Sequence, residues 1–252
     1  MTLEKFFKEN PAVALGFSGG VDSSYLLFSA LRCGAKVQAY YVNAAFQPEF
    51  EMRDALRLAN LIGADVEIIT LDVLSDPTVS ANPPDRCYHC KKVIFGTLKE
   101  RALAGGYNVL IDGTNASDDA DDRPGMRATA ELSVRSPLRE SGITKDEIRR
   151  LSKEAGLFTW DKPSYACLAT RVPAGQPYTA ELLEAVEKSE DALFSLGFSD
   201  FRARVLGGSE KNRVARLQFP QNQMALALQK KDEIIKAVKP YFPVVLLDLE
   251  GR

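Results

Sequence analysis

The segment that most constrains this chain is AVALGFSGGVDSS, Ala12 to Ser24. An apolar run, AVALGF, ends on Ser18-Gly19-Gly20, and a helical pattern follows from Asp22 to Arg32. Glycines let a backbone approach an anion closely and present its N–H groups. The N-terminal end of the following helix adds partial positive charge. Around Gly19, Gly20, Val21 and Asp22, the hydroxyls of Ser18, Ser23 and Ser24 add donors. Strand, glycine loop and helix in that order make a phosphate cradle. The loop lacks the Gly-Lys-Ser/Thr ending of a Walker loop and the Gly-x-Gly-x-x-Gly of a dinucleotide fold.

The same alternation continues over the first 160 residues. Strands are predicted over Ala12–Phe17, Val37–Val42, Val66–Leu71 and Val109–Ile111. Helices are predicted over Asp22–Arg32, Pro48–Ile62 and Lys91–Ala104. A further helix opens on the capping box Thr144-Lys145-Asp146-Glu147 and stops near Gly156. Strands alternating with helices predict the α/β class with a parallel sheet. Ligands of such sheets lie beyond the C-terminal ends of the strands. Pro173–Pro177 reads as a linker. After it come a helix over Thr179–Leu196, strands over Phe201–Leu206 and Val214–Phe219, a helix over Gln221–Val238 and a strand over Val244–Leu249. The predicted division is a larger domain over residues 1–175 and a smaller α+β domain over 176–252.

A formal net charge of −2 gives no global basic field to recruit nucleic acid. The N-terminal stretch lacks a secretory pattern, and no apolar run is long enough to span a bilayer. Together these predict a cytoplasmic protein with reduced thiols and no membrane partner. In that setting a Cys-x-x-Cys pair is a metal or redox site more often than a disulfide. The pair here is Cys87 and Cys90 in RCYHCKK; Cys167 lies in PSYACLATR; Cys33, late in the first helix, reads as a buried small apolar residue. Zinc wants four closed ligands and would have to recruit His89 or Cys33. A redox dithiol uses the pair and ignores Cys167. Three thiolates suit a [4Fe–4S] cluster with one iron left open. On the residues alone all three readings stand. Arg202 and Arg204, two apart on a strand, share one face and can fork a phosphate. Asp118, Asp119, Asp121 and Asp122 read as a solvated acidic loop.

SGGVDSS resembles the PP-loop signature of the ATP pyrophosphatase superfamily. The resemblance implies an adenine nucleotide alpha hydrolase-like fold that binds ATP and Mg2+ and cleaves between the α and β phosphates. It places Gly113, Thr114 and Asn115 near the nucleotide, and Tyr41, Val42 and Asn43 near the adenine. Adenylation converts a carboxylate oxygen, a poor leaving group, into AMP, while loop and magnesium stabilise pyrophosphate. RCYHCKK, DGTNASDDADDRPG, VRSPL, TWDKPSYACLATR and ELLEAVEKSEDALFSLGF add a closer resemblance, to the LarE family. Its members are sulfur transferases that make the nickel-pincer nucleotide cofactor of lactate racemase. The substrate so implied is pyridinium-3,5-biscarboxylic acid mononucleotide, whose carboxylates become thiocarboxylates. One branch of the family sacrifices the sulfur of the cysteine matching Cys167, leaving dehydroalanine. Another binds a [4Fe–4S] cluster through three cysteines, here Cys87, Cys90 and Cys167, and delivers a hydrosulfide from its open iron. The pair places this chain in the second branch, with an external sulfide source. The resemblance also implies that Glu190, Arg202 and Arg204 meet the substrate phosphate, and that the protein is a homo-oligomer. The sequence departs from the family pattern at VLGGSEKN, Val205 to Asn212. The alternatives are a PP-loop tRNA thiolase and a nucleotide-gated metal-binding protein without turnover.

Overall fold

A computed structural model of the chain describes residues 1–118, 124–207 and 212–252. The chain divides into two compact units, one of Met1–Val73 with Asp85–Ser164, the other of Leu74–Pro84 with Tyr165–Arg252.

The first unit runs α1 (Leu3–Glu9), β1 (Ala12–Gly16), α2 (Val21–Arg32), β2 (Lys36–Asn43), α3 (Glu49–Ile62) and β3 (Val66–Thr70). The chain then lends α4 (Pro77–Ser80) to the second unit and returns for α5 (Arg86–Ala104), β4 (Leu110–Ile111), α6 (Pro124–Glu131), α7 (Pro137–Glu140) and α8 (Lys145–Glu154). The four strands form a parallel sheet in the order β3-β2-β1-β4. Local chemistry explains the element ends. The α3 helix stops where Gly63 takes a left-handed φ of 68°. At the start of α8 the Thr144 hydroxyl accepts from the Glu147 N–H at 3.4 Å, the capping bond expected of that box. Val13, Leu15 and Ile111 from the strands pack with Leu26, Leu27, Leu58 and Ile148 from the helices in one apolar core.

Strand order matters for function. From β1 the chain builds outward through β2 to β3, and β4 then returns to the other side of β1. The strand order therefore reverses between β1 and β4, and the loops after these two strands flank that switch point, the place where open α/β sheets bind ligands.

The second unit holds α4, α9 (Ala180–Ser195), β5 (Arg202–Leu206), β6 (Val214–Gln218), α10 (Met224–Gln229), α11 (Lys231–Val238) and β7 (Val244–Leu247). Its sheet has the order β5-β6-β7, antiparallel then parallel. One face of it carries the buried Ala203, Val205, Ala215 and Leu217. No helix among the described residues is long and apolar enough to cross a membrane.

Several expectations differ from what is found. The helix bearing Cys87 and Cys90 starts at Arg86, not Lys91, so the pair lies inside its first two turns. Cys33 is exposed, because α2 ends at Arg32 and Cys33 caps it rather than facing the core. The helix expected over Gln221–Val238 breaks at Lys230, whose ammonium leaves to donate to the Leu196 carbonyl at 2.9 Å. No glycine or proline marks that break. The second compact unit joins Leu74–Pro84 to Tyr165–Arg252. Asn82 donates to the carbonyls of Pro173 (2.9 Å) and Gln176 (3.1 Å), and Tyr178 to that of Val79 (3.0 Å). These bonds zip Leu74–Pro84 to the Pro173–Pro177 stretch within the second unit. Asp119, Asp121 and Asp122 of the acidic run, and Gly208–Lys211 of the divergent segment, lie outside the described residues.

Candidate active site

In the first unit the SGGVDSS loop is braced by its own hydroxyls. Ser18 Oγ and Ser23 Oγ lie 3.0 Å apart; Ser18 Oγ also accepts from the Gly20 N–H, and Ser23 Oγ donates to the Gly20 carbonyl. Gly20 is the N-cap of α2 and has no side chain to satisfy the first-turn N–H groups. Those groups have no carbonyl partner within their own helix, so an anion suits them. Ser24 is fully buried and its hydroxyl has no partner among the described residues, so it lies inside the helix packing rather than on the loop rim. Val21 is buried as well.

Two glycines are required by space. A Cβ on Gly19, whose φ is 71°, would stand 2.6 Å from the Ala55 Cβ. One on Gly113 would stand 2.9 Å from the Ser23 nitrogen, so the end of β4 presses against the first turn of α2. Gly34 offers a control, since its φ is 76° but nothing lies within 4 Å of its Cβ position. Gly34→Ala is expected to cost roughly 1–2 kcal/mol of left-handed strain. Gly19→Ala is expected to cost a further ~1–3 kcal/mol from overpacking, and to weaken ATP binding. Urea unfolding of both variants checks this; equal losses would mean that Ala55 gives way.

Sequence reasoning missed what supports the β4 end. Asp112, 5% exposed, accepts from the Thr114 N–H (3.1 Å), the Thr114 hydroxyl (2.8 Å) and the Ser136 hydroxyl (2.7 Å). It thereby shapes Gly113-Thr114. Asn115 Nδ2 donates to Asp22 Oδ1 at 3.4 Å, and Lys145 Nζ lies 2.5 Å from Asp22 Oδ2. Val42 stands at the C-terminal end of β2, on the edge where these loops emerge. The Asp22 carboxylate is the hard oxygen donor that Mg2+ prefers.

Cys87 and Cys90 are one turn apart on α5 and share a face, Cys87 exposed and Cys90 half-buried. The buried Arg86 reaches the Cys87 sulfur at 3.4 Å. His89 turns to Asp85 at 3.3 Å, as a residue between the pair must. Lys92 and Tyr88 both hold Glu131, at 2.8 and 2.9 Å, which fixes α5 against α6. The two thiols have the softness and spacing for two positions on an iron–sulfur cluster. The third cysteine belongs to the second unit, and among the described residues no three His, Cys, Asp or Glu side chains are grouped as a metal ion needs.

The second unit brings Cys167, Glu190 and Arg204 into one hydrogen-bonded neighbourhood, with Arg202 stacked on its Tyr165 ring. Its hub is Arg171, which sequence reasoning passed over. Arg171 and Glu190 are both buried and form a two-pronged ion pair at 3.0 and 2.9 Å. The same guanidinium donates to the carbonyls of Ala166 (2.5 Å) and Cys167 (3.3 Å), which fixes the turn that carries the thiol. Glu190 accepts in addition from the Ala203 N–H at 2.8 Å and from the Tyr165 hydroxyl. Its oxygens are thus filled by donors of its own chain, which makes it a strut between α9, β5 and the Cys167 turn. Burial, then the Glu190 charge, pushes the Tyr165 phenol far up, so it stays protonated and donates. Burial alone would lower Arg171; the hydrogen bonds and charge of Glu190 outweigh it and hold the guanidinium charged.

Arg204 donates to the Thr170 carbonyl at 2.9 Å and to Gln218 at 2.5 Å. Arg202 is 6% exposed and stacks on the Tyr165 ring, so it is no solvated strand face. Directly across the sheet from Arg204 stands Arg216, a like-charge pairing that the Asp248 carboxylate, 3.6 Å from the Arg216 guanidinium, partly offsets. Burial and then the Arg171 charge lower Arg202 and Arg204 alike, and Arg216 lowers Arg204 further.

A parallel sheet with a glycine loop cradled at its switch point defines an α/β protein of the PP-loop class. No protein-family model matches the chain. It is 38% identical over 255 residues to the uncharacterized protein slr1717 of Synechocystis sp., covering 99% of this chain and 92% of that one. It is 33% identical over 253 residues to the pyridinium-3,5-bisthiocarboxylic acid mononucleotide synthase of Lactiplantibacillus plantarum, covering 99% and 90%. The tRNA-specific 2-thiouridylase MnmA of Thermotoga petrophila is 25% identical over 193 residues, 60% of this chain and 54% of that one. The chain belongs to the LarE family of the PP-loop superfamily.

Proposed function

We propose that the protein is an ATP-dependent sulfur transferase that thiolates pyridinium-3,5-biscarboxylic acid mononucleotide in nickel-pincer cofactor biosynthesis. The observation that carries this is the second unit's network, in which Arg171 holds the Cys167 carbonyl and Arg204, one of the two arginines expected to hold a substrate phosphate, donates to Thr170 of the same turn. The product named for the Lactiplantibacillus plantarum relative supports it. In the proposed reaction a substrate carboxylate oxygen attacks the α-phosphorus of ATP and pyrophosphate leaves. The first-turn N–H groups of α2 receive the departing charge. A sulfur nucleophile then bonds to the acyl carbon as the bond to AMP breaks, and the thiocarboxylate forms. Repetition on the second carboxylate gives the dithio product.

The metal proposal gives Cys87, Cys90 and Cys167 to a [4Fe–4S] cluster. When bound, such a cluster supplies sulfide at an iron that no cysteine ligates. Cytoplasmic location, an external sulfide source and a homo-oligomeric state complete the reading.

The test is pyrophosphate and AMP release with the biscarboxylic mononucleotide as substrate. Release that depends on it supports the assignment, and a protein that releases neither is a metal-binding module. Stimulation by total tRNA instead would favour a thiolase; the net charge of −2 weighs against that reading. Arg204→Ala is expected to weaken the mononucleotide about tenfold or more while ATP binds as before. Unchanged substrate affinity would remove Arg204 from the site.

A further inference from the structure

A guanidinium of the first unit approaches a cysteine sulfur. Arg86 Nη2 lies 3.4 Å from Cys87 Sγ, a charge-assisted N–H···S contact. Arg86 is the first residue of α5 and is 8% exposed, whereas Cys87 beside it is exposed. The donor therefore need not occupy the side from which iron would reach the sulfur.

An arginine in this place is unfavourable on two counts. A charge taken out of water needs compensation. The N-terminal end of a helix already carries partial positive charge, so a cation is out of place there. The first turn of α5 holds no acidic residue. The Asp85 carboxylate at its N-cap turns to His89 at 3.3 Å and makes no cap bond to the helix. Packing alone calls for no guanidinium, since an apolar side chain fills the same space without burying a charge. An anionic group on the thiols of Cys87 and Cys90 turns both counts to advantage. Three thiolates and a hydrosulfide outweigh the positive charge of an oxidised [4Fe–4S] core, so the whole group is an anion. Net charge and hydrogen bonds to the sulfurs are the levers by which a protein sets the potential of such a group.

We propose that Arg86 is a positioning residue for the iron–sulfur cluster: acting through the Cys87 sulfur, it orients that ligand and offsets the negative charge of the group. Arg86 has this role only if the cysteines hold the cluster, as proposed above. Offsetting the charge favours the electron-rich state and raises the reduction potential.

Reductive titration of the full chain, reconstituted anaerobically and read by electron paramagnetic resonance, tests it, alongside iron content and thermal unfolding. Arg86→Met is expected to keep its iron. Its ratio of reduced to oxidised cluster at a fixed potential should fall about tenfold, a shift of ~59 mV to more negative values for one electron. Arg86→Lys keeps the charge but loses the planar fork, and should fall between. Lys92→Met is the control, because that ammonium is held by Glu131 at 2.8 Å, and its potential should match the wild type. A wild-type potential in Arg86→Met overturns the assignment, even in a less stable variant, since the arginine would then be structural only. So does an equal shift in Lys92→Met. If Arg86→Met assembles no cluster, Arg86→Lys decides: a lowered potential supports the role, and a wild-type potential or a second loss of iron overturns it. A wild type that assembles no cluster on reconstitution overturns the cluster reading itself, and the role of Arg86 with it.

Discussion

Glu190→Gln is expected to destabilise the protein by about 3–5 kcal/mol, the range for breaking a buried ion pair by removing one partner. Arg171 and Glu190 have side-chain exposures of 0% and 2%, so no water replaces the lost charge. A glutamine amide keeps one acceptor oxygen where the carboxylate serves two guanidinium nitrogens, a backbone N–H and a phenol. Its NH2 group then faces other donors. Chemical denaturation measures the effect. The exposed pair of Arg150 and Glu154, at 2.6 Å, supplies the contrast, and Arg150→Ala should change stability little. Arg171→Met combined with Glu190→Leu should recover part of the loss, because it removes both charges. A Glu190→Gln variant as stable as the wild type would show that the network does not hold the unit together. If stability survives but only the mononucleotide affinity falls, Glu190 faces the substrate rather than the Arg171 fork.

Anaerobically purified protein is expected to be brown, with broad visible absorbance, acid-labile sulfide and about four irons per chain. Cys87→Ser should lose all three signals, and so should Cys167→Ser. The second variant matters more, since Cys87 and Cys90 share one helix face whereas Cys167 sits in the other unit. Loss in both variants makes Cys87 and Cys167 ligands of one cluster. A protein that stays colourless after reconstitution, and whose Cys167 becomes dehydroalanine after one turnover, makes Cys167 the sulfur donor. In that case the pair is structural. Stoichiometric zinc would point the same way for the pair.

Much of the first unit was legible because its signals are local. The apolar strands, Gly63 after α3 and the Thr144 capping box each depend on neighbours a few residues away. SGGVDSS was legible for the same reason, as its hydroxyl bonds span at most five residues. What escaped depends on distant partners. Lys145 reaches Asp22 across 123 positions, and Arg171 reaches Glu190 across 19. A lysine in a capping box looks like any surface lysine, and an arginine after a cysteine looks solvated. Burial of Arg202 was equally invisible, since strand periodicity gives a residue's face but not what covers it. The break at Lys230 carries no glycine or proline, and the bond of its side chain to the distant Leu196 carbonyl was invisible too.

The alternating class, the glycine loop and the cysteine inventory are thus encoded by residue type at short range. The tertiary structure alone decided which charges pair. It filled Glu190 from within and set Arg216 opposite Arg204. It also put Lys145 on Asp22, because Coulomb interactions depend on distance in space, and the fold sets that distance.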